Sequence, residues 1–176
     1  GGSIRLPTPE PEDDGGSEGG AGDDAPAAVP TAPWTVGPPQ GRTVAVHCLS
    51  NGRYTVLLTD SGAGHSTHDG VALTRWRADE ALDDSGSWVY LQDLTSGTLW
   101  SAAARPCGPN PAETVFSPSR AEYRQGHAGI HSHLDITVAA RDDVEIRMLD
   151  VRNESAESRR LAVTSFAEVA LAPAAD

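Results

Sequence analysis

From Arg42 onward the chain is a succession of short runs rich in β-branched and apolar residues, divided by clusters of turn-forming residues. No stretch carries a 3.6-residue apolar period with caps at both ends. This pattern argues against a helical bundle and predicts an all-β fold, an antiparallel sandwich or barrel. The runs are 43–49, 53–59, 71–76, 87–93, 98–102, 113–117 and 121–126, then three longer ones at 128–140, 143–153 and 159–171. "ADEAL" (78–82) has room for one helical turn. The clearest alternation falls at 130–138. There Ile130, Leu134, Ile136 and Val138 are expected to face the core, and His131, His133 and Asp135 to face away. Between the first two runs stands Asn51-Gly52, which predicts a tight hairpin with both residues at positive φ.

Residues 1–41 have a different texture. They hold nine Gly, eight Pro and seven acids against one Arg5, with few apolar residues to offset the entropy of ordering. They read as a disordered acidic linker, with "PAAVPTAPW" an extended approach to the folded part. This segment carries −6 of the formal charge of −12, and the 135 residues that follow carry the other −6. All 13 basic residues are arginine. An acidic chain without a basic cluster argues against nucleic acid and anionic membrane surfaces. No run approaches the roughly 20 apolar residues of a membrane helix, and no signal peptide is evident, so a soluble chain is expected. Cys48 sits in an apolar run and reads as a small buried hydrophobe. A Cys48–Cys107 pairing stays open.

Several residue groups raise chemical possibilities. Gly62-Ala63-Gly64 follows a strand, but no helical pattern or Lys comes after it, so a loop needing positive φ fits better than a phosphate cradle. His131, His133 and Asp135 share a strand face at two-residue spacing, as zinc ligands can; a polar outer face is the plainer reading, and no metal or other cofactor is assigned. Acids are frequent in the turns, yet nothing pairs two of them for glycoside chemistry, and no nucleophile-elbow pattern surrounds Ser66. No catalytic residue is assigned. Trp88 and Trp100 read as core. Trp76, beside Arg75 at the end of the glycine-containing stretch, reads equally well as a face for a sugar ring.

Three stretches together carry a family pattern: "HCLSNGRYTVLLTDSGAGHS…VALTRW", "GSWVYLQDLTSGTLWSAAARP" and "RAEYR…GIHSHLDITVAARDDVEIRMLDVRNESAESRRLAVTSFAEVALA". Over about residues 33–172 the chain resembles the start of the glycoside hydrolase family 94 region, as found in cyclic β-1,2-glucan synthases and in cellobiose and chitobiose phosphorylases. The resemblance implies that 42–176 is the N-terminal part of a β-supersandwich. In that family a helical linker and an (α/α)6 barrel follow, and the barrel supplies the general acid and the site for inorganic phosphate. It implies a β-glucan or oligosaccharide as the partner of the full-length protein, no nucleic acid, and a cytoplasmic location as the soluble part of an inner-membrane protein.

Family members tend to read Gly-Tyr-Ser-Arg-x-Arg where this chain reads Gly64-His65-Ser66-Thr67-His68-Asp69. The stretch is expected to be a loop turned toward the catalytic half. His65, Ser66, Arg75 and Trp76 are the candidate substrate-binding residues. The chain alone is expected to be inactive. Part of a sandwich should leave an apolar face or edge open on its longest strands, 130–138, 144–152 and 161–171, and so favour self-association, for instance as a homodimer. The alternatives are a free-standing carbohydrate-binding module and a purely structural packing domain.

Overall fold

The structure, a computed structural model, describes residues 31–36, 44–76, 85–107 and 113–173. The helical turn expected at 78–82, and most of the linker, lie outside these residues. All the regular structure described is β. Among the described residues, thirteen strands form three antiparallel sheets. The first joins β1 (Trp34–Val36), β8 (Glu113–Ser117), β9 (Arg120–His127), β10 (Ile130–Val138) and β11 (Glu145–Asn153), in that order. The second runs β13 (Val169–Pro173), β5 (Val71–Thr74), β4 (Gly64–His68), β3 (Tyr54–Thr59) and β2 (Val46–Ser50). The third is shorter: β12 (Leu161–Ala167), β6 (Ser87–Asp93) and β7 (Leu99–Ser101).

The core lies where the inner faces of the sheets meet. Val56 and Leu58 of β3, Leu91 of β6, Phe116 of β8, Tyr123 of β9 and Ile130, Leu134 and Ile136 of β10 are all buried in it. Trp88 and Trp100 are buried as expected. Val138 packs against this cluster at its margin. His131 and His133 take the opposite face, but Asp135 is buried there. Arg120 reaches over it, with its guanidinium 3.0 Å from Oδ2. A carboxylate on an outward face is thus buried by a neighbouring strand's side chain, which alternation alone does not reveal.

Alternation also places Cys48 correctly once the strand's register is known. His47 and Leu49 take the buried face of β2, so Cys48 is exposed. The apolar run suggested the opposite. Both cysteines are free. His47 fills the inward position instead. It stacks on Phe116 at 4.8 Å between ring centroids and meets the edge of Trp34 at 5.4 Å. Its Nε2 is buried without a partner. Burial therefore pulls its pKa below the ordinary histidine value, against a smaller opposing effect of a hydrogen bond to the Ser117 backbone.

The first hairpin turns one residue later than the sequence suggests. Asn51 is paired to Tyr54 through its N–H, 3.2 Å from the Tyr54 carbonyl, so the central residues are Gly52 and Arg53. Gly52 has φ +96° and Asn51 has no positive φ, which fits a type II′ turn. Asn51 acts through its side chain. Oδ1 accepts from the N–H of Arg53 and Tyr54 at 3.0 and 2.9 Å. Nδ2 donates to the carbonyls of Ala139 and Asp142 at 3.1 and 3.0 Å, in the turn between β10 and β11.

Two further readings change. Residues 64–68 are a strand, not a loop: β4 joins β5 through Asp69-Gly70, both at positive φ. Asp-Gly is itself a hairpin signal, and the nearby glycines drew the reading away from it. Gly62 does have positive φ, and a Cβ there would lie 2.3 Å from that of Ala103. Gly64 does not; a Cβ there would lie 2.7 Å from the Leu57 carbonyl oxygen and 2.9 Å from a Leu58 methyl, while a Cβ on the adjoining Gly86 would lie 2.2 Å from the Gly64 carbonyl oxygen. The run 159–171 is two strands, not one. The chain leaves the third sheet at Ala167 and joins the second at Val169, with the Glu168 carbonyl accepting from the Arg75 N–H at 2.8 Å. No Gly or Pro marks this change of sheet.

Candidate functional site

Of the four residues nominated by sequence, His65 and Ser66 take opposite faces of β4, and Arg75 and Trp76 directly follow β5. His65 lies on the outer face. Its Nδ1 is 2.9 Å from the Thr74 carbonyl, so that nitrogen carries the proton and donates. Its ring sits 6.0 Å from that of Trp76 at a 48° tilt. Trp76 is 43 % exposed. Arg75 is anchored beside it by Glu168, Nε to Oε1 at 3.2 Å. His65 and Trp76 therefore form one patch with an imidazole and a half-exposed indole, and the exposed Arg75 precedes Trp76 in the chain. Ser66 is not part of it. Alternation turns its side chain inward, it is 3 % exposed, and its hydroxyl donates to Glu145 Oε2 at 2.9 Å.

That hydrogen bond leads to a polar cluster that sequence reading passed over. Glu145 and Arg147 lie two apart on β11, so both side chains point to the inner face. Arg147 Nε donates to Glu145 Oε1, and Nη1 donates to the Ser87 carbonyl at 2.7 Å. The Tyr54 hydroxyl donates to Glu145 Oε2 at 3.5 Å. Burial, and next the negative Glu145, push the Tyr54 pKa above its ordinary value. One turn away, Asp143 accepts from Arg53 at 3.0 Å, His68 at 3.1 Å and Asn51 at 3.3 Å. Partial burial opposes its charge, but these donors outweigh that, and its pKa falls below the usual carboxylate value. Glu145-x-Arg147 was legible in principle, since opposite charges two apart on a strand share a face. It went unnoticed because the whole strand "EIRMLDVRN" looks like an ordinary amphipathic edge.

Beside this cluster opens a cleft of about 540 Å³ between β11 and β12, lined by Tyr54, Trp88, Leu149, Val163 and Phe166 with Glu145 and Arg147. A second, wider groove of about 960 Å³ crosses the outer face of the five-stranded sheet at Gly126. Its side chains are already engaged with one another: Arg124 with Glu113 and Glu122, His131 with Glu154. His133 is likewise held by Glu122 at 3.1 Å. The three residues weighed as zinc ligands thus each contact a different partner, and among the described residues no group of three or more His, Cys, Asp or Glu is placed to hold a metal ion. No helix among the described residues is long and apolar enough to cross a membrane.

The fold and its faces define an antiparallel β-sandwich with one open side. The family model described as "Glycosyl hydrolase 94, supersandwich domain" matches residues 35–176, and the chain belongs to this family. It is 37 % identical over 126 residues to the cyclic beta-(1,2)-glucan synthase NdvB of Rhizobium meliloti (strain 1021), covering 70 % of this chain and 4 % of that protein. It is 24 % identical over 144 residues to an N,N'-diacetylchitobiose phosphorylase of Vibrio proteolyticus, covering 78 % of this chain and 17 % of the relative. A phosphorylase of the same description from Vibrio furnissii is 20 % identical over 144 residues, with the same coverage. The chain therefore spans a small part of the length of the curated relatives it matches.

Proposed function

We propose that this chain is the sandwich portion of a β-glucan-processing protein of the cyclic β-1,2-glucan synthase type. In this reading it is non-catalytic by itself. Transfer or phosphorolysis belongs to a helical barrel elsewhere in the longer protein, which also binds inorganic phosphate. The observation that carries the reading is the 37 % identity to NdvB, well above the identity to the phosphorylases. The sandwich contributes a sugar-facing patch, His65, Arg75 and Trp76. A guanidinium held by a carboxylate and a half-exposed indole suit hydroxyls and a ring face.

Titration of the chain with linear β-1,2-glucan, followed by the indole signal of Trp76, tests the patch. Weak binding lost in Trp76→Ala is expected. No binding by the wild-type chain overturns the patch and leaves a packing domain. Release of glucose 1-phosphate by the 176-residue chain overturns the non-catalytic reading.

A further inference from the structure

The Asn51-Gly52 pair carries chemistry as well as structure. In such a pair the glycine nitrogen is a nucleophile within reach of the asparagine carboxamide carbon, and glycine has no side chain to hinder the approach. A Cβ at Gly52 would meet nothing within 4 Å, so this turn stands open to water. The carboxamide itself is tied at both ends. Nδ2 donates to the carbonyls of Ala139 and Asp142 and, at 3.3 Å, to Asp143 Oδ1. Oδ1 accepts from the N–H groups of Arg53 and Tyr54. The Gly52 N–H donates to Ser50 Oγ at 3.0 Å. Bringing the carboxamide carbon to bonding distance of the Gly52 nitrogen turns the amide away from these partners. The joint between the β2–β3 hairpin and the β10–β11 turn therefore opposes the reaction for as long as it stays closed.

We propose that Asn51 is a site of spontaneous hydrolytic modification, gated by this joint and self-locking once it has occurred. The Gly52 nitrogen attacks Asn51 Cγ. The N–Cγ bond forms, the Cγ–Nδ2 bond breaks, and Nδ2 leaves as ammonia with the proton that the Gly52 nitrogen gives up. Water then adds to either carbonyl carbon of the cyclic imide, and the ring C–N bond at that carbon breaks. The product is aspartate in a normal peptide link, or isoaspartate with the main chain running through the side-chain carboxyl. In sum, an amide and a water give an acid and ammonia, with no enzyme, metal or oxidant. The new carboxylate accepts hydrogen bonds and donates none. An oxygen in the place of Nδ2 would face two carbonyl oxygens and Asp143, which is already paired with Arg53 and His68. Like charges at hydrogen-bond distance repel. The hairpin then cannot redock on the β10–β11 turn, so one opening event becomes a permanent one.

Incubating the protein in mildly alkaline buffer, folded and in urea, tests this. Trypsin releases residues 43–53 as one peptide, since Arg42 and Arg53 flank it. Mass spectrometry then reads the amide-to-acid change, and an isoaspartyl methyltransferase labels the rearranged product. Conversion should be at least about tenfold slower in the folded protein than in urea. Asp143→Ala should speed the folded-state conversion by about threefold or more and leave the rate in urea unchanged. Gly52→Ala should slow conversion in urea, where folding plays no part. Asn51→Asp mimics the normal product. It should weaken hydrogen-exchange protection at Ala139 and Val144, which pair across the β10–β11 turn, and leave Tyr123 of β9 protected, which shows that the fold survives. Equal rates folded and in urea, or an unchanged folded rate in Asp143→Ala, would overturn the gating. Absent conversion in urea, or an undiminished rate there in Gly52→Ala, would overturn the site itself. Full protection at Ala139 and Val144 in Asn51→Asp would overturn the self-locking.

Discussion

β3 and β12 are built from similar residues and have opposite surroundings. β3 reads YTVLLT, with Val56 and Leu58 wholly buried. β12 reads LAVTSFA, with Val163 and Phe166 more than half exposed. Each pairs along its length with a neighbour. What differs is the cover. The inner face of β3 meets the first sheet, where the Tyr123 hydroxyl donates to the Thr59 carbonyl at 2.8 Å. Ladder hydrogen bonds hold both strands, but only β3 has a second layer over it. Apolar content therefore marks a strand as requiring cover without saying that the cover lies within the same stretch of chain.

This contrast can be broken by experiment. The largest effect is expected at Trp100, which is buried in the closed part. Trp100→Ala should cost about 3–5 kcal/mol in equilibrium denaturation of the chain. A cost near that of a surface change would mean that the core is not closed there.

Next come Glu145 and Arg147, at the border between the two regions. Glu145→Met should cost about 3 kcal/mol, because it leaves a largely buried guanidinium without its carboxylate. Adding Arg147→Met should return part of that loss. A double mutant no better than the single one would reject the coupling.

A smaller effect concerns pH. Folded His47 has a lowered pKa, so the unfolded chain binds more protons near and below pH 6.5. The stability contributed by keeping His47 neutral is present above that pH and is lost as pH falls, by at most about 1.4 kcal/mol per pH unit. His47→Phe should flatten the wild-type fall in stability between pH 7 and 5. Parallel profiles would show that another group controls it.

The smallest effect is expected on the open strand. Phe166→Ala in the 176-residue chain should change stability by under about 0.5 kcal/mol. A cost of several kcal/mol would place Phe166 in a closed core and erase the contrast with β3.

The strands were legible because period-2 runs and turn clusters alternate so regularly. β6 and β8 follow their sequence runs residue for residue. What stayed hidden depends on contacts distant in sequence. Cys48 is exposed because His47 holds the inward place, which an apolar run cannot reveal. The split of 159–171 happens at Glu168 without any breaker residue. In the candidate site, His65 and Trp76 meet because the Asp69-Gly70 turn folds β4 on β5. Ser66 is lost to the site because it answers Glu145, 79 positions away. The type II′ turn at Gly52-Arg53 shows the same limit, since Asn51 serves a turn of another hairpin.

That role of Asn51 has a consequence for the order of folding. Its Nδ2 joins positions separated by 88 and 91 residues. Its own hairpin needs contacts only a few residues apart and can form in microseconds. The long closure is available only after β10 and β11 are in place, so it should form after the rate-limiting step. Asn51→Ala would then speed unfolding and leave refolding almost unchanged, as read from the two arms of a chevron plot. A slowed refolding arm would instead put this joint between distant turns inside the folding nucleus.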